Sequence, residues 1–342
     1  MIDLGPQYLQ GSFIKPGKEM PSTRKIPCTL VRCNPEQDEN ACGLLQMEHS
    51  VPPEILYAAY WYRSGTNNTM RNHLKGIVDT VVPIIKKKKD AIVLDIGCND
   101  GTLLNFYPKG VMKYGIDPSD IAQEIKDEDA TVVQDIFPSR KLEEVLGSKT
   151  LDVITSIAMF YDLENPVEFV KGIKQLLSQK GVWVFEMSYM PDMLQLDSFD
   201  TICHEHLEYY SLAVLEIILK KAGMRLFKIS FNDINGGSIR CFATHDANIA
   251  YDSPEDIQLL NEIRQKEFDL ELDTDKPYQA FWERIVKLKE ELHALLVKLK
   301  SEGKRYIYTA PPPRAIRFCN GAISTIPLSI MQQKGTRINT AL

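Results

Sequence analysis

Between Ala91 and about Ala243 the chain alternates short apolar runs with stretches of helical periodicity, and few architectures accept that alternation. The runs AIVLD (91–95), MKYGID (112–117), TVVQD (131–135), LDVITSI (151–157) and GVWVFEM (181–187) read as strands, separated by helical patterns near 119–127, 139–147 and 165–178. Parallel neighbours need a crossover, which a helix supplies. The pattern therefore predicts an α/β fold with a mostly parallel sheet and helices on both faces. LFKISFND (226–233) and GSIRCFATH (237–245) follow, with only an Ile-Asn-Gly turn at 234–236 between them. So close a pair predicts an antiparallel hairpin at the sheet edge.

The flanks differ. Residues 1–50 are rich in Gly, Pro and Cys without sustained periodicity and read as a small irregular lobe. Residues 54–89 read as mostly helical. Residues 254–303 read as an amphipathic helical segment packing beside the core, with apolar positions at Leu288, Leu292, Leu295, Leu296 and Leu299. A chain of 342 residues exceeds one ordinary core. A net charge of −6 argues against a nucleic-acid partner. The basic run Lys86 to Lys89 falls where a helix should end, and cations there complement the helix dipole. No apolar stretch reaches the roughly 18 residues of a membrane span, and the N-terminus shows no signal pattern. Seven cysteines without framework spacing suit a reducing compartment, so the expected setting is the cytoplasm and the expected partner a small molecule.

The chemistry concentrates in two places. In VLDIGCNDG (93–101) a strand ends at Asp95, and Gly97, Asn99, Asp100 and Gly101 lead toward a helix expected from Thr102. Small residues let the backbone turn sharply against a ligand, and a helix N-terminus attracts negative charge. Asp117 ends the next strand, placed to accept from a ribose diol, and Asp135 ends the one after, near an adenine edge. Acids at three successive strand ends point to a nucleotide-type cofactor. With only one glycine after Asn99, the loop departs from the GxGxxG fingerprint of nicotinamide enzymes.

The second place is DTICHEHLEYY (200–210), just beyond the strand at 181–187, where α/β sheets put their ligands. Three readings stand beside one another: a metal site through His204, His206 and Cys203, a histidine capping the helix at 211–222, and acid–base catalysis with Glu205 orienting His206.

The loop resembles the first motif of class I S-adenosylmethionine-dependent methyltransferases, which have a Rossmann-like core. Together with SFDTICHEHLEYYSLAVLEIILKKAGM and NDINGGSIRCFA, it resembles the sugar C-methyltransferases that branch deoxysugars, over roughly residues 3–309. That resemblance implies an N-terminal zinc lobe, a methyltransferase core, a smaller C-terminal domain and S-adenosylmethionine as cofactor. It makes His206 the general base with Glu205 beside it, and brings Tyr62 and Ser64 to the active site. It places His204, Tyr209 and the turn Asn235, Gly236, Gly237 and Ser238 on the substrate side. The implied reaction is C-methylation of a nucleotide-linked keto-deoxysugar. An O- or N-methyltransferase, or a truncated non-catalytic relative that still binds cofactor, are the alternatives.

Two departures bear on these expectations. Such sugar enzymes carry Asn and His after the fourth strand, where this chain has the shorter stretch Ser156 to Tyr161. Zinc sites of the family use two cysteine pairs. Here Cys33 and Cys42 match the second with eight residues between them, and the first would lie before Met1, leaving half a site. Cys28, Cys98 and Cys241 read as packing residues.

Beyond Tyr308 the composition breaks into TAPPPRAIRFCNGA. Read one base earlier, codons permitted by Ala310 to Leu342 can encode a Gly-Ala-Ser-Thr…Gly-Asn turn and an Arg-Asn-Pro-x-Lys-Tyr-Gly stretch like those of the family's C-terminal domain. The expectation is a frameshift near codon 308. The division expected is a zinc-lobe remnant at 1–53, the core at 54–246, the helical start of a C-terminal domain at 247–309, and an aberrant tail at 310–342.

Overall fold

The computed structural model describes residues 2–9, 25–57, 60, 62–86, 88–126 and 129–304. The strands are β1 (Ile2–Tyr8), β2 (Lys25–Arg32), β3 (Leu45–Met47), β4 (Ile92–Ile96), β5 (Met112–Ile116), β6 (Ala130–Val133), β7 (Leu151–Ile157), β8 (Leu177–Ser188), β9 (Glu208–Tyr209), β10 (Met224–Asn232) and β11 (Ser238–His245). The helices are α1 (Pro53–Tyr57), α2 (Asn68–Ile85), α3 (Arg140–Leu146), α4 (Pro166–Leu176), α5 (Met190–Gln195), α6 (Leu212–Lys221), α7 (Pro254–Asp269) and α8 (Lys276–Ser301).

All seven expected core strands form one sheet in the order β10-β11-β8-β7-β4-β5-β6. The pairs from β8 through β6 are parallel, and β11 runs antiparallel to β8 and β10. Every residue of β4 is buried, as a central strand covered on both faces requires. Strand order reverses at β4, which lies between β5 and β7, so the loop after Ile96 emerges at a topological switch point. The hairpin register pairs Asn232 with Ser238 and Ser238 with Ser188, setting its turn beside the C-terminal end of β8. Beneath that end, the rings of Phe160, Trp183 and Phe185 pack on one another within 5.4 Å.

Several expectations are corrected. The loop at 97–101 opens onto a single 3-10 turn, Leu104–Phe106, because Tyr107 is extended ahead of Pro108 and the chain cannot continue as helix. The helical pattern near 119–127 likewise yields only the 3-10 turn Asp120–Glu124. Residues 54–89 divide into α1 and α2, the latter capped by the Asn67 side chain accepting from the Met70 N–H at 2.7 Å. As expected, α2 gives way at Lys86.

Residues 1–50 are not wholly irregular. β1, β2 and β3 form an antiparallel sheet, which β9 completes from the 200–210 segment. Gly5 and Pro6 interrupt β1, whose register shifts between Asp3 and Pro6, so alternation was hidden. In α8 the buried residues are Tyr278, Phe281 and Ile285, which pack against the N-terminal sheet. Leu288 and Leu295 of the expected stripe are exposed. Among the described residues no helix is long and apolar enough to cross a membrane. Residues 310–342, and with them the frameshift expectation, lie outside the described residues.

Candidate active site

The turn after β4 is held from both sides. Gly97 has φ +74°, and a Cβ there would come within 3.2 Å of the Met159 side chain, so any other residue would be strained. Gly101, at φ +73°, packs against Ile125 in the same way. Asp117, at the end of β5, accepts from the Asn99 N–H at 2.9 Å and from the Ser119 N–H and hydroxyl at 2.8 and 2.5 Å. It therefore ties the turn to the neighbouring strand end.

The side chains of Asn99 and Asp100 reach toward residues 62–65. Asn99 accepts from the Ser64 N–H at 2.9 Å and donates to the Tyr62 carbonyl at 3.0 Å. Asp100 accepts from the Gly65 N–H at 2.8 Å. Asp95 is buried and accepts from the Thr155 hydroxyl at 2.6 Å, and burial pushes its carboxyl up to about 7. Asp135 accepts from the Ser139 hydroxyl at 2.8 Å, which holds its carboxyl below the ordinary value.

A cavity of about 580 Å³ opens where these strand ends meet. Asp95, Gly97, Asn99, Asp117 and Asp135 line it, whereas Asp100 and Gly101 stand behind the turn. Tyr57, Tyr60, Tyr62 and Tyr161 also line the cavity, as do Glu205, His206 and Asn235. Carboxylates recur around the wall, from Asp95 to Glu205, with no Lys or Arg among the described lining residues. Such a lining favours a cationic ligand.

His206 carries the clearest chemical geometry. Its Nδ1 lies 2.7 Å from the Thr201 carbonyl, which can only accept, so Nδ1 bears the proton and Nε2 the basic lone pair. The Tyr161 ring packs 4.3 Å from the imidazole. The segment is clamped at its ends: β9 pairs with β3, and Glu267 of α7 accepts from Tyr189, Leu212 and Ala213.

Other expected residues do not join them. His204 is fully buried and its Nε2 faces the carbonyls of Ile26 and Pro27, so it joins the segment to the N-terminal sheet instead of meeting substrate. Tyr209, on β9, is buried and its hydroxyl accepts from the Cys203 N–H at 3.3 Å. Its ring packs into the core of the N-terminal sheet, in one cluster with Leu45 and Met47. Asn235 lines the cavity at φ +58°, while Gly236, Gly237 and Ser238 do not, and the Ser238 hydroxyl donates to the Ile234 carbonyl. Ser211, and no histidine, caps α6. Among the described residues no cluster of three or more His, Cys, Asp or Glu could hold a metal, and the Cys42 N–H faces Cys33 Sγ at 3.4 Å.

Asp162, Tyr57, Tyr60 and Tyr161 also line the cavity, although sequence reasoning singled out none of them. Asp162 follows the end of β7, so the rule that marked Asp95, Asp117 and Asp135 could have found it. A buried cluster joins Glu186 of β8 to His73 at 2.5 Å, Arg240 at 2.8 Å and Asn232 at 3.0 Å. Its members are scattered too widely along the chain for spacing to reveal.

Three family models match the chain: a methyltransferase domain over residues 67–229, a C-methyltransferase C-terminal domain over 233–316, and a "Putative zinc binding domain" over 1–57. The chain is similar to the C-methyltransferase NovU of Streptomyces niveus, 24% identical over 315 residues, which span 91% of this chain and 73% of that protein. Among solved structures it is similar to magnesium protoporphyrin IX methyltransferase from Synechocystis, at 14% identity and a TM-score of 0.41, over 54% of this chain and 90% of that one. Another is the plantazolicin methyltransferase BpumL, at 17% identity and a TM-score of 0.40, over 53% and 86%.

Proposed function

The chain is a class I S-adenosylmethionine-dependent methyltransferase of C-methyltransferase-like make-up, and we propose that it methylates a carbon next to the ketone of a nucleotide-linked deoxysugar. The observation that carries this reading is His206: a wall residue of the cavity whose Nδ1 proton is held by the Thr201 carbonyl, leaving Nε2 as the base. A proton on a carbon beside a carbonyl is acidic enough for a positioned imidazole to remove, and positioned proton transfer contributes about 10²–10⁴-fold.

The cavity suits the cofactor. Gly97 gives the turn its positive φ beside Met159, and a wall that is acidic and without Lys or Arg among the described residues matches a sulfonium. In this reading Asp117 and Asp135 hold the ribose and adenine ends, and Asp95 and Gly97 form the floor. Asn99 lines the cavity and fastens Tyr62 and Ser64 over it, while Asp100 and Gly101 act one step back in shaping the turn. When bound, the cofactor supplies an electrophilic methyl group. His206 takes the proton, Glu205 stands beside it, and Tyr62 and Asn235 confine the acceptor. With no Lys or Arg in the described lining, the sugar occupies the cavity and its nucleotide phosphates lie outside. The division at 53, 246 and 309 and a cytoplasmic setting belong to the same reading.

Methyl transfer from labelled cofactor to a panel of nucleotide-linked keto-deoxysugars tests it, with the methylated atom assigned by NMR. His206→Ala should keep S-adenosylhomocysteine affinity and lose about 10²-fold or more in transfer. Methyl on oxygen or nitrogen, or a variant as active as the wild type, overturns the proposal.

A further inference from the structure

Asp162 ends the 3-10 turn Phe160–Asp162 after β7 and lines the same cavity as His206. Its Oδ1 is sealed from solvent and receives no hydrogen bond from a described residue. The buried Tyr57 hydroxyl is directed at this carboxyl without forming a well-aligned hydrogen bond to it. A carboxylate anion here would have one oxygen shut off from water and only the poorly aligned Tyr57 hydroxyl to donate to it, a cost that a protein avoids by keeping the proton on. Burial pushes the Asp162 carboxyl well above its ordinary range; His206 and the Tyr57 hydroxyl oppose the shift, while Glu205 and Cys203 add to it. The residue as a whole is half-buried and lines the cavity, which leaves Oδ2 as the oxygen to carry the proton toward a ligand.

Removal of a proton beside a ketone drives negative charge onto the carbonyl oxygen, and that oxygen needs a donor fixed in place. Resting on the carbon-methylation reading above, we infer that Asp162 is a further catalytic residue, a neutral carboxylic acid whose Oδ2–H donates a hydrogen bond to the acceptor's carbonyl oxygen as it becomes an enolate. In the step itself His206 Nε2 takes the carbon-bound proton. The C–H pair becomes the C=C bond, and the carbonyl π pair moves onto the oxygen facing Asp162. That oxygen then re-forms C=O as the carbon's pair bonds the methyl group. The pair of the broken sulfur–carbon bond stays on sulfur, and the proton on His206 leaves to solvent.

Two measurements on the full chain with S-adenosylhomocysteine bound test the inference without the natural acceptor. Infrared difference spectra between the wild type and Asp162→Asn should contain a protonated-carboxyl stretch at neutral pH. Titration with substituted phenols, whose phenolates mimic an enolate oxygen, should show about tenfold or greater weakening in Asp162→Leu, the effect of one lost donor. Asp162→Asn keeps an N–H donor and should stay within about threefold of the wild type. An ionised Asp162 in the spectra, equal weakening in both variants while S-adenosylhomocysteine still binds, or no phenol binding by the wild type, overturns it. A failure of the His206 reading appears elsewhere, as undiminished methyl transfer in His206→Ala, and leaves the phenol series unchanged.

Discussion

Asn99 offers a perturbation in which backbone and side-chain contributions separate. Its φ of +50° lies in the left-handed region, and its side chain latches residues 62–64 through two hydrogen bonds of 2.9 and 3.0 Å. Asn99→Gly keeps the backbone conformation and loses both bonds, at about 0.5–1.5 kcal/mol each, or roughly 1–3 kcal/mol together. Asn99→Ala loses the same bonds and adds about 1 kcal/mol for a Cβ in the left-handed region. Alanine should therefore be the less stable of the two, although it is the stiffer residue in the unfolded chain. Both variants should unlatch the Tyr62–Ser64 segment from the cavity. If the latched state falls to between a tenth and a third of molecules, the apparent Kd for S-adenosylhomocysteine rises about three- to tenfold. Urea denaturation gives the stability order and calorimetry the affinity. An alanine variant as stable as the glycine one would refute the backbone argument. Full cofactor affinity in two destabilised variants would remove residues 62–64 from the cofactor wall.

Other outcomes follow from the same contacts. Glu267→Ala leaves the Tyr189 hydroxyl and the N–H groups of Leu212 and Ala213 without their acceptor. At about 1–3 kcal/mol per unsatisfied donor, a loss of roughly 3–9 kcal/mol is expected in denaturation, and less than about 1 kcal/mol would contradict the clamp. Asp117→Asn sets an amide N–H among the donors of Asn99 and Ser119, so S-adenosylhomocysteine should bind about tenfold or more weakly in calorimetry; unchanged binding would dismiss Asp117 from the site. Asp95 titrates near 7 in the folded chain, raised by burial, and near 3.9 in the unfolded one. The folded state thus holds more protons between those values. The stability this group contributes is complete below about 4 and is lost as pH rises through about 7, by a few kcal/mol. Asp95→Asn should remove that fall, and parallel stability–pH curves for variant and wild type would contradict it.

Much of the fold was legible because periodicity survives whatever a strand packs against. All seven core strands, the edge hairpin and the helices α3 and α4 lie where the sequence puts them. Errors fell where local pattern and chain context disagree: a helix expected from Thr102 meets Pro108 too soon, and the alternation of β1 is broken by Gly5 and Pro6. In the site, strand-end acids were readable because a parallel sheet sends its C-terminal ends to one edge. Asp95, Asp117 and Asp135 accordingly reach one cavity.

Sequence by itself determined the order of strands along the chain, the glycine turn after β4 and the segment that carries His206. Only the tertiary structure decided which neighbours share a face. In the segment at 200–210, neighbouring residues serve different masters. Glu205 and His206 face the cavity, while His204 and Tyr209 turn to the N-terminal sheet. Asn99 and Asp100 reach back some 35 residues to fasten another loop, and Asp162 comes within the electrostatic reach of His206 from a different strand end. The physical reason is that spacing along the chain fixes the direction of a side chain relative to its own backbone, whereas burial, partner and protonation depend on what other elements bring to meet it.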